Sequence, residues 1–350
     1  MTEHNEHQTF KTDEIPYQEI SDTAVLSKNP LVSVKMITYN HEPYIAQAIE
    51  GVLMQKTDFP IELIIGEDCS TDRTREIVLD YQKKYSDIIR LVISEHNVGM
   101  IKNGLRTNKA CRGKYIAFCE GDDYWIDPLK LQKQIKFLEA NQDYGLVYSD
   151  VDRLNNKSST IEKNIFKNQL RIKKNTFDDF LLNVWFLAPC TWFFRNDVFR
   201  SIKHLLKIEY VVGDLPLLLG ISKNSKIGYI DESMAVYRVL EKSASHLQGT
   251  QAKYTFHQGI FKIQMDFAKY YNVAPIVIEK IKCTYYIKVF KTVCLLNDKK
   301  SKIELYSYLK KRNLLSKKKR VLLCWITKLS IIRFFLLKFL NQFVINLMIS

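Results

Sequence analysis

Apolar and polar positions along residues 30–151 follow a repeating strand–helix pattern. Short apolar runs rich in β-branched residues predict buried strands. They lie at 31–38, 61–67, 88–94, 114–120 and 145–151. The segments between them carry apolar residues at helical spacing and predict helices. These lie at 43–55, 72–85, 100–111 and 128–141. The alternation predicts an α/β domain with a mostly parallel sheet, in which ligands bind at the carboxyl ends of the strands.

The pattern changes after residue 151. Residues 153–176 are polar and predict a loop, and an aromatic block at 180–199 can stack on a ligand ring or fill the core. A helix-like segment, a strand-like segment and a long helical pattern follow at 211–222, 227–239 and 251–313. We therefore expect a polar N-terminal arm, an α/β domain in two halves and a helical C-terminal extension. Their predicted ranges are 1–29, 30–250 (halves 30–151 and 152–250) and 251–350.

The formal net charge of +14 is concentrated at one end of the 350-residue chain. Residues 282–350 contain sixteen Lys and Arg and only two acids, which accounts for the whole net charge. A basic run at 310–320 precedes an apolar stretch at 321–350, which three basic residues interrupt before it reaches the roughly 20 residues needed to span a membrane. Basic clusters beside an interfacial apolar helix are typical of binding to anionic membranes. A C-terminal helix packed on the body is the other interpretation.

Composition and cysteines narrow the protein class. At 46% hydrophobic and 26% charged residues, the chain is neither collagen-like, nor a disulfide scaffold, nor wholly disordered. Seven cysteines without a CxxC pair indicate reduced thiols in the cytosol and no structural zinc site. The basic run is also compatible with a nucleic-acid-binding protein. The neutral remainder of the chain and the apolar residues after the run count against that alternative.

Polar side chains follow the first two predicted strands directly. Residues 38–44, TYNHEPY, place an aromatic ring among hydrogen-bonding groups, which suits a nucleobase. Residues 67–72, EDCSTD, place two adjacent carboxylates at the second strand end, where they can bind the N–H edge of a uracil or a ribose hydroxyl. A polar turn and a capped helix start are the plainer interpretations of the two segments.

A third cluster, Glu120-Gly121-Asp122-Asp123, follows the fourth predicted strand. Gly121 lets the backbone bend there. Packed carboxylates are costly to ionise unless a cation lies among them. Mg²⁺ and Mn²⁺ take oxygen ligands and usually share them with substrate phosphates. The cluster therefore predicts a divalent metal site, with an exposed acidic turn as the alternative.

The three clusters, in this order and spacing, resemble the nucleotide-diphospho-sugar domain of family 2 glycosyltransferases. The resemblance covers about residues 31–151, through VSVKMITYNHEPYI, IELIIGEDCSTDRT and NVGMIKNGLRTNKACRGKYIAFCEGDDYW. It implies the GT-A fold, a Rossmann-like, mostly parallel sheet flanked by helices, here with a helical C-terminal extension. The phosphate-binding G-x-x-x-x-G-K-[ST] and the dinucleotide G-x-G-x-x-G patterns are both absent from the sequence.

The resemblance also implies roles for single residues. Contacts to the nucleotide sugar are implied for Thr38, Tyr39, Glu42, Asp68, Lys102, Asn103 and Asp122. Asp123 is implied as a ligand of Mn²⁺ or Mg²⁺, and His246 as a further contact to the metal or the phosphates. Glu67 stands where the family often has Asp, which is a mild departure.

Asp214 opens the apolar helical segment of the second half. An acid in apolar surroundings has a raised pKa and can act as a general base. Asp is also a good helix N-cap, and the spacing alone leaves both interpretations open. The resemblance favours the base, because family 2 members carry one at the start of such a helix.

The resemblance thus implies a metal-dependent, inverting glycosyltransferase of the hexosyl type. It would move a sugar from a nucleotide-diphosphate donor, preferably a UDP-sugar, to a hydroxyl of a glycan or lipid-linked acceptor in bacterial surface polysaccharide synthesis. The basic tail adds an anionic membrane surface as a partner, no nucleic-acid partner is expected, and the predicted location is the cytoplasm at the inner face of the plasma membrane. A polyprenyl-phosphate sugar transferase is the alternative enzyme, although it usually needs spanning helices.

Overall fold

The computed structural model describes five segments of the chain, residues 15–168, 175–184, 187–240, 249–296 and 299–311. The chain divides into two units, Met1–Glu241 and Lys242–Ser350. The described part of the first unit is an α/β domain, and that of the second unit is helical.

A single sheet runs through the described part of the first unit. Its strands are β1 (Gln18–Ile20), β2 (Val32–Thr38), β3 (Ile61–Glu67), β4 (Ile89–Ile93), β5 (Tyr115–Phe118), β6 (Tyr124–Trp125), β7 (Tyr144–Asn155), β8 (Thr160–Glu162), β9 (Phe193–Arg195) and β10 (Lys226–Val239). Their order is β1-β4-β3-β2-β5-β9-β7-β10-β6, with β8 paired to β7. The longer registers, β4-β3-β2-β5 and β7-β10, are parallel, and the short strands β1, β6, β8 and β9 pair antiparallel.

Helices pack on this sheet through their apolar faces. They are α1 (Ile45–Leu53), α2 (Thr74–Lys84), α3 (Met100–Ala110), α4 (Lys130–Ala140), α5 (Phe177–Asn183), α6 (Asn196–Ile202) and α7 (Asp214–Asn224). Ile45, Ile49 and Val52 of α1 show the helical spacing and are fully buried. The expected α/β domain, with a mostly parallel sheet flanked by helices, is confirmed.

The predicted strand and helix segments of residues 30–151 are all present, but four short strands had not been predicted. Each of β1, β6, β8 and β9 has only two or three residues, too few to show an alternation. Strand β7 extends to Asn155, into the predicted loop, and β8 also lies there. Asp150, buried within β7, accepts hydrogen bonds from the backbone N–H groups of Phe166 and Lys167 and from the Tyr229 hydroxyl, and such distant partners do not show in a local pattern.

Helix α3 lies very close to strand β3 because Gly66 has no side chain. A Cβ on Gly66 would lie 2.0 Å from Thr107 Oγ1 and 2.7 Å from Asn103 Oδ1. The Asn103 amide uses this closeness to donate a hydrogen bond to the Gly66 carbonyl at 2.8 Å. The contact fixes the position of α3, and of the loop before it, relative to the carboxyl end of the sheet.

The second unit contains helices α8 (Thr250–Tyr270), α9 (Pro275–Leu295) and α10 (Lys299–Lys311). Aromatic rings join them: Phe261 stacks on Tyr285 at 4.1 Å, and Tyr286 stacks on Tyr308 at 4.3 Å. In the described part of the chain, no helix has the length and apolar character needed to cross a membrane. The predicted interfacial segment, 321–350, lies outside the described residues, so the choice between membrane contact and packing stays a prediction.

Replacing Gly66 by Ala should destabilise the first unit by about 1–3 kcal/mol, because the new methyl group overpacks the contact between α3 and β3. Urea unfolding followed by circular dichroism measures this. Gly104→Ala is the matched control on the other side of the contact. Its Cβ would meet only Lys35 Nζ, at 3.5 Å, so we expect no loss of stability or a gain of roughly 0.5–1 kcal/mol from helix propensity. Equal stability of Gly66→Ala and the unchanged protein would contradict the packing argument.

Candidate active site

The polar clusters of the sequence meet at one edge of the sheet, because β3, β2 and β5 are neighbouring parallel strands. Asp68 N, just after β3, donates a hydrogen bond to the Thr38 carbonyl at 3.1 Å. Gly121 N, just after β5, donates one to the Ile37 carbonyl at 3.0 Å. The three strand ends are therefore joined through the last residues of β2.

The turn after β2 is held by the turn after β3. Asn40 adopts a positive φ of 55°, and its side-chain oxygen accepts a hydrogen bond from Thr71 N at 2.8 Å. The Glu42 carboxylate accepts a hydrogen bond from Arg73 N at 3.2 Å, at the start of α2. Glu42, implied as a nucleotide contact, thus already has a partner within the protein.

Thr38 and Tyr39 differ in what they offer to a ligand. Thr38 is 2% exposed, and its hydroxyl lies 3.2 Å from His41 Nδ1. Burial lowers the pKa of His41 against the attraction of Asp122 and Asp72. The Tyr39 side chain is 41% exposed at the strand end. Tyr39 therefore offers an exposed aromatic ring to a ligand, whereas Thr38 is buried.

Asp68 is buried and supports the loop that leads into α3. Its two carboxylate oxygens accept hydrogen bonds from the backbone N–H groups of Val98 and Gly99, both at 2.9 Å. Arg106 Nη2 lies 3.4 Å from the same carboxylate and donates to the Glu67 carbonyl at 3.0 Å. If Asp68 contacts a nucleobase, as the resemblance implies, it would use carboxylate oxygens that already accept hydrogen bonds from this loop.

Asn103 and Lys102 are neighbours on α3 with different surroundings. The Asn103 side chain is buried between α3 and β3, where it donates to the Gly66 carbonyl and accepts a hydrogen bond from Arg106 Nε at 2.9 Å. It therefore supports the site from inside the protein. The Lys102 side chain is half-buried.

The acidic turn after β5, Glu120–Asp123, passes directly over the end of β2. A Cβ on Gly121 would lie 2.8 Å from Thr38 Oγ1 and 2.9 Å from His41 Nδ1. The sequence suggested glycine here for bending of the backbone, but close approach is the stronger reason, because Gly121 has no positive φ. Any larger residue would lift the carboxylates away from the strand end.

Arg238 of β10 holds the acidic turn from the opposite side. Its backbone N–H donates to Asp123 Oδ1 at 2.8 Å, and its Nη1 donates to the Asp122 carbonyl at 2.7 Å. The guanidinium lies between two rings, 5.0 Å from the centroid of Tyr44 and 4.5 Å from that of Tyr124. Arg238 is buried and fixes the turn by hydrogen bonds and cation–π contacts.

Two carboxyl groups of the turn, those of Asp123 and Glu120, are costly to ionise in the protein alone. Burial raises the pKa of Asp123 well above its usual value, and repulsion from Asp122 and Glu120 adds to this. Burial also raises the pKa of Glu120 to about 7, although Lys35 opposes the shift. Glu120 Oε2 is buried without a hydrogen-bond partner. The turn is thus an acidic cluster whose own neighbours do not neutralise it.

A hard divalent cation fits these carboxylates. Asp122 and Asp123 offer oxygen ligands, and a nearby positive charge would remove the cost that raises the pKa of Asp123. Among the described residues, no three His, Cys, Asp or Glu side chains are placed to hold a metal by themselves. A cation here would therefore complete its ligands with water and substrate phosphates, as Mg²⁺ commonly does.

Asp214 is the first residue of α7, and Gly213 takes the N-cap position. The Asp214 carboxylate accepts a hydrogen bond from Leu215 N at 2.7 Å. Burial raises the pKa of Asp214, while this hydrogen bond and the charge of Lys35 act in the opposite direction. A half-buried carboxyl with a raised pKa has the character that a general base requires.

Two parts of the predicted site lie outside the described residues. His246 is one, and Trp185 and Phe186 of the aromatic block are the other. The described aromatic residues of that block, Trp192, Phe193 and Phe194, are almost fully buried and belong to the core.

Three residues shape the site in ways that sequence reasoning did not give: it assigned no role to Lys35 or to Glu120 alone, and it placed Arg238 only in a segment that resembles the one closing over the diphosphate in family 2 members. Lys35 had a visible signal, since it is a charged residue inside the apolar run LVSVKMIT. Glu120 was part of the acidic cluster but had no function of its own. Arg238 meets the acidic turn only through the long-range pairing of β10 with β6 and β7, which no local pattern predicts.

Two solved structures share this fold. A fragment of S. aureus TarS in complex with UDP-GlcNAc superposes with a TM-score of 0.56 at 17% identity, covering 79% of both chains. The mannosyltransferase PcManGT from Pyrobaculum calidifontis, in complex with GDP-Man and Mn²⁺, superposes with a TM-score of 0.54 at 15% identity, covering 96% of this chain and 89% of the other. The expected GT-A fold is confirmed.

Sequence comparison gives the family. The family model for glycosyl transferase family 2 matches residues 33–203. An uncharacterized glycosyltransferase of Methanocaldococcus jannaschii is 35% identical over 219 residues, covering 60% of this chain and 71% of that protein. The chain belongs to glycosyltransferase family 2, as the sequence resemblance implied.

Other relatives match over different lengths. TuaG of Bacillus subtilis, a candidate teichuronic acid biosynthesis glycosyltransferase, is 28% identical over 228 residues, covering 65% of this chain and 86% of that protein. An uncharacterized protein of Mycobacterium tuberculosis is 42% identical over 120 residues, covering 34% of this chain. The chain matches only 35% of the length of that mycobacterial protein.

Replacing Asp123 by Asn should stabilise the metal-free protein. Folding raises the pKa of Asp123. Its carboxyl group therefore lowers the free energy of unfolding at every pH above the pKa that it has in the unfolded chain, including pH 7. Asn keeps an oxygen for the Arg238 N–H but carries no charge. We expect Tm at pH 7 in EDTA to rise by roughly 2 °C or more.

Asp58→Asn is the control for this substitution, because Asp58 is exposed. Its Tm should not change. Adding Mn²⁺ should raise Tm of the unchanged protein and of Asp58→Asn, but not that of Asp123→Asn. A lower Tm of metal-free Asp123→Asn would show that the Asp123 carboxylate is well accommodated and would contradict the proposed cost.

Proposed function

We propose that this family 2 enzyme is an inverting glycosyltransferase that uses a UDP-sugar, Mn²⁺ or Mg²⁺, and a hydroxyl acceptor on a glycan or lipid-linked glycan. The observation that carries the proposal is the acidic turn Glu120–Asp123. Arg238 holds the turn at the carboxyl edge of the sheet, where Asp123 is buried and the pKa values of Asp123 and Glu120 are raised. Such a turn is suited to a cation that carries a diphosphate.

The proposal of a nucleotide-sugar donor is based on the edge of the sheet formed by β2 and β3. The exposed ring of Tyr39 offers a surface for a base, and Thr38 and Glu42 shape the turn around it. TarS was solved with UDP-GlcNAc and PcManGT with GDP-Man, which supports a nucleotide sugar as the donor class. The acid at the end of β3, Asp68, is the feature that favours uridine, with Lys102 on the adjoining helix.

The metal would be held by Asp123 together with Asp122, and His246 is a further candidate contact. A divalent cation supplies positive charge against the negative charge that develops on the leaving nucleotide. The Mn²⁺ in the PcManGT structure supports this choice of cofactor. Arg238 keeps the two carboxylates in place, because it bonds to the Asp123 carboxylate and the Asp122 carbonyl.

Asp214 is the proposed general base. It takes the proton of the acceptor hydroxyl while that oxygen bonds to C1 of the donor sugar and the bond from C1 to the diphosphate oxygen breaks. Attack from the face opposite the diphosphate inverts the configuration at C1 in a single displacement. Burial raises the pKa of Asp214, which makes its carboxylate more basic than an exposed aspartate.

The setting we propose is surface polysaccharide synthesis at the inner face of the bacterial plasma membrane. The similarity to TuaG supports the polysaccharide class. The excess positive charge of residues 282–350 and the apolar residues that follow the basic run support contact with anionic lipid. A lipid-linked acceptor would lie at the same surface.

Replacing Asp214 by Asn should reduce transfer by about 10²-fold or more, because the general base is lost. The measurement is nucleotide release from a panel of UDP-, GDP- and dTDP-sugars with Mn²⁺ and octyl β-glucoside as acceptor. Asp197→Asn is a matched control, since Asp197 in the first turn of α6 is exposed and accepts the same type of hydrogen bond, from Val198 N at 2.7 Å. Transfer by Asp214→Asn within a few-fold of the unchanged enzyme would remove Asp214 from this role.

A chain ending at residue 311 should lose binding to anionic vesicles, because most of the excess positive charge is removed with the tail. The full chain should sediment with phosphatidylglycerol vesicles at low salt and less so at high salt. Vesicles of phosphatidylcholine alone are the control. Equal sedimentation of the two chains would contradict a membrane role of the tail, and salt-sensitive retention of the full chain on DNA would instead favour nucleic-acid binding.

A further inference from the structure

Lys35 is a charged residue in the middle of a buried strand. It belongs to β2, between the parallel neighbours β3 and β5, and its side chain is only 7% exposed. The ammonium lies 4.1 Å above the ring of Phe118. Among the described residues, no carboxylate lies within ion-pair distance of it, and the cation–π contact is its closest charge-stabilising partner.

Such a group is expensive for the fold. A buried charge without an ion pair loses its hydration and gains little in return, and an apolar side chain of similar size would usually be more stable. Phe118 below and the bare backbone at Gly104 beside the ammonium would accommodate a methionine. Packing therefore does not explain why the strand carries a lysine.

Lys35 and the residue before Asp214 both approach the same turn of α3. A Cβ on Gly104 would lie 3.5 Å from Lys35 Nζ, and a Cβ on Gly213 would lie 3.6 Å from Ile101 Cδ1. Ile101 and Gly104 are three residues apart and therefore share a helix face. The ammonium and Gly213, the residue before Asp214, thus both lie against this turn.

The groups that face Lys35 come from three elements. They are Glu120 after β5, Cys111 at the end of α3 and Asp214 at the start of α7. Burial raises the pKa of the Cys111 thiol to about 12, so the thiol is neutral in the physiological range. The carboxyl groups of Glu120 and Asp214 are left as the two sources of negative charge, and Glu120 also faces Asp122.

We propose that Lys35 is a positioning residue whose buried positive charge stabilises the ionised carboxylate of Asp214, so that Asp214 is ready to take the proton of the acceptor hydroxyl. This inference rests on the proposed role of Asp214 as the base. Burial alone would favour a protonated Asp214, which cannot accept a proton. The positive charge of Lys35 offsets that effect.

The test is the pH dependence of kcat/KM for nucleotide release from the same donor panel, with Mn²⁺ and octyl β-glucoside. Lys35→Met removes the charge, Lys35→Gln removes it while staying polar, and Lys35→Arg keeps it. Without the charge the pKa of Asp214 rises, so the acid limb should move to higher pH by about one unit, while the plateau at high pH is kept. On the acid limb this equals roughly a tenfold loss of kcat/KM.

Three further results complete the test. Lys35→Arg should keep the acid limb of the unchanged enzyme, and Glu120→Gln should still show a limb, because the limb belongs to Asp214. Tm of Lys35→Met should be equal to or higher than that of the unchanged protein. A lower Tm with an unmoved acid limb would show that Lys35 serves packing only. If Lys35→Met does not fold, the limb of Lys35→Gln decides.

The outcome separates this inference from the proposed function. If Asp214→Asn is inactive and the acid limb stays in place in both uncharged Lys35 variants, the inference is wrong and the role of Asp214 stands. If Asp214→Asn transfers sugar at nearly the unchanged rate, the base assignment fails and the inference fails with it.

Discussion

The hydrogen bond from the backbone N–H of Arg238 to the Asp123 carboxylate is the contact on which the site depends. It joins the last long strand of the sheet to the acidic turn after β5, two segments far apart in the chain. The same turn is bonded to the end of β2 through Gly121 and Ile37. Because the turn is held on both sides, its carboxyls cannot move apart to relieve their repulsion. The cost stays in the folded protein and is available to be released on cation binding.

Packing of apolar side chains beneath this edge of the sheet offsets the free-energy cost of its charged groups. Most residues of the strand interiors, the inward face of α1 and the aromatic residues Trp192, Phe193 and Phe194 are buried and apolar. This core tolerates unneutralised groups above it: Asp123 and Glu120 in the acidic turn, and Lys35 under the start of α7. The two acids are the groups that we propose face a cation, and the lysine is the group that we propose acts on Asp214.

Local sequence patterns were sufficient for the framework and for the acidic clusters, because apolar periodicity and strand ends are encoded within a few residues. They failed where the cause lies far along the chain. Strand β9 has three residues and exists through its pairing with β5 and β7. Nor do local patterns show that Asn103 bonds across the contact between α3 and β3, or that Asp68, the proposed uridine-binding acid, also holds the loop before α3. Arg238 reaches the site only once β10 is in place.

We propose above all that the acidic turn binds a nucleotide diphosphate through a divalent cation. Isothermal titration of the full chain with UDP, once with Mn²⁺ and once with EDTA, tests it most directly. We expect UDP to bind with Mn²⁺ and to bind at least about tenfold more weakly with EDTA, since phosphate and carboxylates would otherwise repel each other. Equally tight binding of UDP in both conditions, or no binding of UDP in the presence of Mn²⁺, would contradict it.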